Sequence, residues 1–319
     1  MAEAIKKATR VGYGEALAQL GESYKFMVMD ADLSGSTMTS LFARKFPDRF
    51  FNCGIAEANM VSTAAGIATT GVPVFVSSFA MFAAGRAYEQ IRNSVAYPRL
   101  NVKIGASHAG ITVGEDGATH QFCEDLALMR SIPDMTVFCP ADAVQAAAAT
   151  KAALLTEGPV YLRLGRYAVP VIYEEGSEFE PGRADVLADG NDVAIFATGI
   201  EVAAALEARR LLAFDGIDAA VINIHTIKPL DGTAVAHFSA KCGRVVTAEE
   251  HSVIGGLGSA VAELLCERCP SPLLRIGIED VFGKSGSAGE LIDYYGLNAQ
   301  AIAEKTKLLV LQTPRSVEG

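Results

Sequence analysis

The feature that most limits this chain is an alternation. Short apolar runs at 26–30, 72–78, 101–105, 136–140 and 159–163 are separated by longer Ala-rich stretches near 12–20, 36–46, 56–70, 82–96, 121–131 and 141–156. The runs are apolar throughout, so both faces of each strand must be buried. That is the pattern of a parallel sheet covered by helices. Strand–helix–strand order then predicts a doubly wound α/β layer. The pattern lapses over 171–190, which is acidic and holds Gly and Pro, and this stretch reads as a join. It resumes with strand-like runs at 192–198, 219–224, 243–247 and 273–278, and with helices at 199–213, 256–268, 286–295 and 299–307. The expectation is an α/β protein of two doubly wound domains, 1–172 and 190–319, ending in a polar tail from 312 onward.

Composition removes several function classes. Half of the 319 residues are hydrophobic, so the chain has the apolar surface needed for a packed core and is not a disordered tract. No apolar run reaches the roughly 18 residues of a spanning helix, so no membrane role is expected. The start, MAEAIKKATR, lacks a signal-peptide core, which points to a cytoplasmic protein with six reduced cysteines. The formal charge is −10 and no Lys/Arg cluster forms a basic face, so nucleic acid is not an expected partner.

In open parallel sheets, ligands bind beyond the carboxyl ends of the strands. That directs attention to 30–36, 52–57, 77–82, 105–120 and 163–166. Glu57 opens a helix of small and apolar residues. It is either an acid favoured by the helix N-terminus or a buried acid in need of a partner. Phe79 and Phe82 have the i, i+3 spacing of one helix face, which serves core packing or an aromatic wall for a flat ring. The loop GASHAGITVGEDGATHQ holds two of the five histidines, His108 and His120, with Glu115, Asp116 and four glycines. A solvated turn explains the glycines but not two histidines, so a ligand site is expected there. Its spacing matches no familiar metal-ligand pattern. Arg10, Ser36 and Arg166 lie at element boundaries and together suit an anion of phosphate size. Two motifs read as decoys. Cys266-Glu-Arg-Cys269 ends a helix, whereas redox pairs sit at a helix start. Gly255-Gly-Leu-Gly258 lacks the Lys-Ser/Thr of a phosphate loop and reads as a close turn.

These residues carry a family likeness. ATRVGYGEALAQLG, PDRFFNCGIAEANMVSTAAGIA, SFAMFAAGRAYEQIR, SHAGITVGEDGATHQ with EDLALMRSIPDMTVFCPAD, HTIKPLD and EEHSVIGGLGSAVAE resemble transketolase, in family order and over nearly the whole chain. The resemblance covers two of that family's three domains, the pyrimidine-binding and the C-terminal domain.

The resemblance implies thiamine diphosphate as cofactor and transfer of a two-carbon ketol unit from a ketose to an aldose. It implies that Glu57 faces the aminopyrimidine and shares a proton with it, while Phe82 and Phe79 pack the ring. His108 and His120 are the implied proton carriers. Asp116, His120 and His108 are implied at the sugar, Arg10, Ser36 and Arg166 at its phosphate, and Asp32 near the thiazolium. A one-residue insertion between Phe82 and His108 loosens the register of the phenylalanines. The family's Gly-Asp-Gly motif for Mg²⁺ and the diphosphate is absent from this sequence. That implies a split enzyme: a separate diphosphate-binding subunit holding most of the Mg²⁺ contacts, in an α2β2 assembly, with no metal site on this chain. The competing expectations are the beta subunit of a 2-oxo acid dehydrogenase and a non-catalytic relative. A deoxyxylulose phosphate synthase is disfavoured, since it carries all three domains in one chain.

Overall fold

The computed structural model describes residues 5–313. Most of the polar tail, 314–319, lies outside them, as do residues 1–4. The first part contributes β1 (Lys6–Ala8), β2 (Met27–Asp30), β3 (Phe50–Asn52), β4 (Val74–Phe79), β5 (Val102–Ser107), β6 (Thr136–Phe138), β7 (Val160–Arg163) and β8 (Ala168–Pro170). The second contributes β9 (Asp185–Ala188), β10 (Val193–Ala197), β11 (Ala219–Asn223), β12 (Thr226–Lys228), β13 (Val245–Ser252) and β14 (Leu273–Ile278).

One sheet runs β12-β6-β7-β5-β4-β2-β3 and the other β14-β13-β10-β11-β9. Each is parallel except for one antiparallel edge strand, β12 in the first and β9 in the second. Sequence reading missed both edges, along with β3 and the antiparallel β1–β8 pair. Such short strands carry no measurable period. The stretch 171–190, read as a join, therefore contains a strand. The edge β12 crosses from the second half of the chain to complete the first sheet, pairing Thr226 with Phe138.

Burial on both faces follows the two-residue period of a strand. Along β2, Val28 packs with Phe26, Phe42 and Phe75 on one face, while Met29 joins Met60, Val61 and Ala64 on the other. Each fully buried side chain of this size contributes about 1.5–3 kcal/mol. The first of these faces is closed by the helices Thr9–Leu20 and Ala143–Leu155. They approach so closely that a Cβ on Gly12 would stand 2.0 Å from the Ala143 carbonyl oxygen. The opposite face is shared with the second sheet, since Phe196, Ile222 and Val235 belong to the same apolar cluster as Met60 and Ile104. No helix among the described residues is long and apolar enough to cross a membrane.

Two expected helices are broken. The stretch 36–46 divides into Ser34–Thr37 and Ser40–Lys45 around Met38, whose φ is 68°. The stretch 82–96 is two π-helical segments, Met81–Arg86 and Ile91–Ala96, flanking Tyr88–Gln90. A π turn is the form an extra residue takes inside a helix, and it recurs at functional sites.

Candidate active site

The site lies beyond the carboxyl ends of β2, β4, β5 and β7 in the first sheet. Glu57 is the first residue of the helix Glu57–Ala68 and only 2% exposed. Its Oε2 accepts a hydrogen bond from Arg86 Nη1 at 2.8 Å. A carboxylate buried this deeply needs a counter-charge, and the helix N-terminus alone does not supply one. The Arg86 side chain is 49% exposed, so this partner reaches the buried acid from the solvent side. Its guanidinium also lies over the Phe82 ring, 4.6 Å from the centroid.

Four rings adjoin this pair. Phe79 ends β4 and Phe82 sits in the π turn, so they do not share one regular helix face as their spacing suggested. They stack all the same, with centroids 5.9 Å apart and planes at 16°. His108 stacks on Phe79 at 3.8 Å, and His120 meets Phe82 edge-on at 5.3 Å. His108 follows β5 with a left-handed φ of 57° and pairs Nδ1 with Ser107 Oγ at 2.9 Å. Non-glycine residues rarely adopt that region, and strain of this kind concentrates at functional sites. Burial, together with the charges of Arg10, Arg166 and His120, pushes its pKa down to about 3. His108 is therefore neutral near pH 7, with its Nδ1 engaged by Ser107.

The candidate anion residues converge beside His108. Arg10 Nη1 donates to the Ser36 carbonyl at 2.6 Å. Arg166 Nη1 donates to the Val113 carbonyl at 2.6 Å and reaches Asp116 Oδ2 at 3.3 Å. Burial and the neighbouring Arg166 lower the pKa of Arg10, and its buried Nε has no partner among the described residues. Two guanidiniums held near each other, one with an idle donor, suit a bidentate oxyanion. Asp32, at φ 64°, hydrogen-bonds with Asn52, which also accepts from Gly54 N at 3.0 Å. It ties the end of β2 to the turn that leads to Glu57.

The decoys behave as turns and ends. Gly256 is the N-cap of the helix Leu257–Arg268, whose Leu257 and Gly258 amides donate to the Glu249 carboxylate at 2.7 Å each. A Cβ on Gly256 would stand 2.1 Å from Glu249 Oε2. Cys266 is exposed and Cys269 half-buried at the far end of that helix, and both are free thiols. Among the described residues no three His, Cys, Asp or Glu side chains gather as a metal site.

Sequence reasoning missed Arg86 and Gln121, although both lie inside quoted segments. A charged residue four after Phe82, and an amide directly after His120, were the available signals. It also missed the buried polar seam between the sheets. There Arg163 pairs with Asp125 at 2.9 Å and donates to the Glu250 carbonyl at 2.8 Å, while Tyr161 donates to Asp125. Burial pushes the carboxyls of Glu201 and Glu250 up.

Residues 5–171 match the transketolase pyrimidine-binding domain family and residues 182–302 the transketolase C-terminal domain family. A putative transketolase C-terminal section from Methanocaldococcus jannaschii is 53% identical over 305 residues, covering 94% of this chain and 96% of that protein. A 6-deoxy-6-sulfo-D-fructose transketolase subunit from a Clostridium species is 47% identical over 278 residues, covering 87% and 86%. A solved structure described as a split gene transketolase, an inactive beta4 tetramer, superposes with a TM-score of 0.88 at 51% identity, covering 95% of this chain and 98% of that one. The chain belongs to the transketolase family and corresponds to its C-terminal section, the pyrimidine-binding domain followed by the C-terminal domain.

Proposed function

We propose that this chain is the C-terminal subunit of a split transketolase, with domains at 1–172 and 190–319. In this reading it works with thiamine diphosphate, in an α2β2 assembly with a separate subunit that holds the diphosphate and Mg²⁺. The observation that carries the reading is the slot at Glu57: a buried carboxylate with one half-exposed partner, next to the Phe82 ring. The residues present fit a flat, hydrogen-bonding heterocycle. Glu57 would face the pyrimidine ring, with Phe82 and Phe79 packing it. When bound, the cofactor supplies the electron sink for carbon–carbon cleavage, and the protein supplies orientation and electrostatics.

The chain's own residues do the rest. Glu57 would share a proton with the ring through a carboxyl oxygen held out of water. His108, neutral and fixed by Ser107, orients a sugar oxygen. Asp116 and His120 meet further hydroxyls. Arg10 and Arg166 grip a tetrahedral anionic end group, with Ser36 completing that corner. A phosphate and a sulfonate offer the same oxygen geometry, and the similarity to a sulfosugar transketolase subunit supports including both. That a related split-gene protein forms an inactive tetramer supports an incomplete site on one chain.

The test is reconstitution with the neighbouring diphosphate-binding chain, thiamine diphosphate and Mg²⁺. Ketol transfer from a phosphorylated or sulfonated ketose is expected. Turnover of pyruvate with a lipoyl acceptor in its place would assign the chain to the 2-oxo acid dehydrogenases.

A further inference from the structure

The loop that carries Asp116 and His120 is gripped from the second domain at two points. At its root, the Thr112 amide donates to Glu250 Oε1 at 2.7 Å. At its end, Gln121 is 5% exposed, and its Nε2 donates to the Ile111 carbonyl at 3.1 Å, the Gly114 carbonyl at 3.3 Å and the Lys284 carbonyl at 2.7 Å. One amide thus ties both arms of the loop to a segment more than 160 residues away. The approach leaves no room for side chains. A Cβ on Gly283 would stand 1.7 Å from Gln121 Oε1, and one on Gly117, at φ 76°, would stand 2.4 Å from Ser285 Oγ.

The gripping segment is itself braced. Ser287 caps the helix Ala288–Tyr294 through a capping box with Glu290. Tyr295 donates its hydroxyl to the Phe282 carbonyl at 3.1 Å. On the other side, Arg166 takes its bonds from the same loop, at Val113 and Asp116. The placement of Asp116 and of Arg166 relative to one another therefore depends on how the loop is held.

We propose that Gln121 is a positioning residue, through which the Gly283–Ser285 segment of the second domain holds the sugar-contacting loop in its binding conformation. The second domain thereby contributes to sugar recognition without touching the sugar. This rests on the ketose-transfer reading above. Without the tie, three carbonyls lose a donor and a loop with glycines at 110, 114 and 117 samples other conformations. Only the fraction in the competent conformation binds, so apparent affinity falls while the chemistry of the bound complex is preserved.

Two variants act on the tie from opposite sides. Gln121→Ala removes the donor, and Gly283→Ala sets a methyl group against it. Hydrogen exchange of the purified chain is expected to quicken in peptides covering 111–121 for both variants, with the strands of the first sheet unchanged. In the reconstituted enzyme, KM for the ketose is expected to rise about tenfold, with kcat within about threefold and thiamine diphosphate affinity unaltered. Unchanged exchange in the loop would overturn the proposal. So would a loss confined to kcat, or a fall in cofactor affinity that tracks the KM. If the wild-type assembly transfers no ketol unit, the functional reading fails by itself. The exchange measurement then still decides whether Gln121 holds the loop.

Discussion

The helices that start at Leu257 and at Glu57 each begin beside a buried glutamate, and they put it to opposite use. At Gly256–Gly258 the Glu249 carboxylate spends both oxygens on the amides of Leu257 and Gly258. At Ala56–Glu57 the acid belongs to the helix itself, and its Oε2 bonds to a half-exposed arginine. The first arrangement is closed: every lone pair in use holds the turn in place. The second is open, because its partner stands on the solvent side. A buried acid satisfied by backbone reads as architecture, whereas one satisfied by a half-exposed side chain reads as a site. Satisfaction separates the two better than burial does, since both acids are nearly inaccessible.

The comparison breaks most readily at Glu57. Glu57→Gln in the reconstituted enzyme is expected to lower kcat by about 10²–10⁴-fold, with thermal unfolding essentially unchanged. Turnover near wild type would remove Glu57 from the chemistry. Glu249→Ala should do the reverse. It leaves two helix-end amides unpaired in a buried turn and is expected to cost about 2–4 kcal/mol of stability, measured by denaturant unfolding. Activity per folded molecule should stay intact. A stable Glu249→Ala protein with lost activity would invert the two assignments.

A smaller effect tests the charge state at the open end. An imidazole whose native pKa is depressed favours the folded state above its ordinary pKa of 6.5. That contribution is lost as pH falls from 6.5 toward about 3, because the unfolded chain takes up the proton first. Wild-type stability should therefore fall more steeply over this window than that of His108→Gln. Parallel curves would mean that His108 is not held neutral. The smallest effect belongs to the closed half: Cys266→Ser should change stability by less than about 0.5 kcal/mol and leave activity alone. A marked loss would give the Cys266/Cys269 pair a role.

Much of this fold is legible in the sequence because its central strands are buried on both faces and so are apolar throughout. What escaped was set by tertiary pairing. Thr226–Lys228 is three residues long and becomes a strand because Val137 and Phe138 offer an edge. The helix Gly232–Cys242 was missed although its ends are readable, an Asp231 N-cap and Gly243 in the left-handed conformation, and Val235, Phe238 and Cys242 bury one face at helical spacing. At the site, residue types in the strand-end loops pointed to Glu57, Phe82, His108, His120, Arg10 and Arg166. Spacing could not reveal that Arg86 bridges Glu57 and Phe82, or that Gln121 reaches into the second domain. Both depend on where a long side chain ends, which the one-dimensional pattern does not encode.

The central claim is that this chain carries half of an active site. Its most direct test is a ketol-transfer assay of the purified chain with thiamine diphosphate and Mg²⁺, run alone and after addition of the diphosphate-binding subunit. No transfer is expected from the chain alone, and full transfer from the mixture. Full transfer by the chain alone would contradict it.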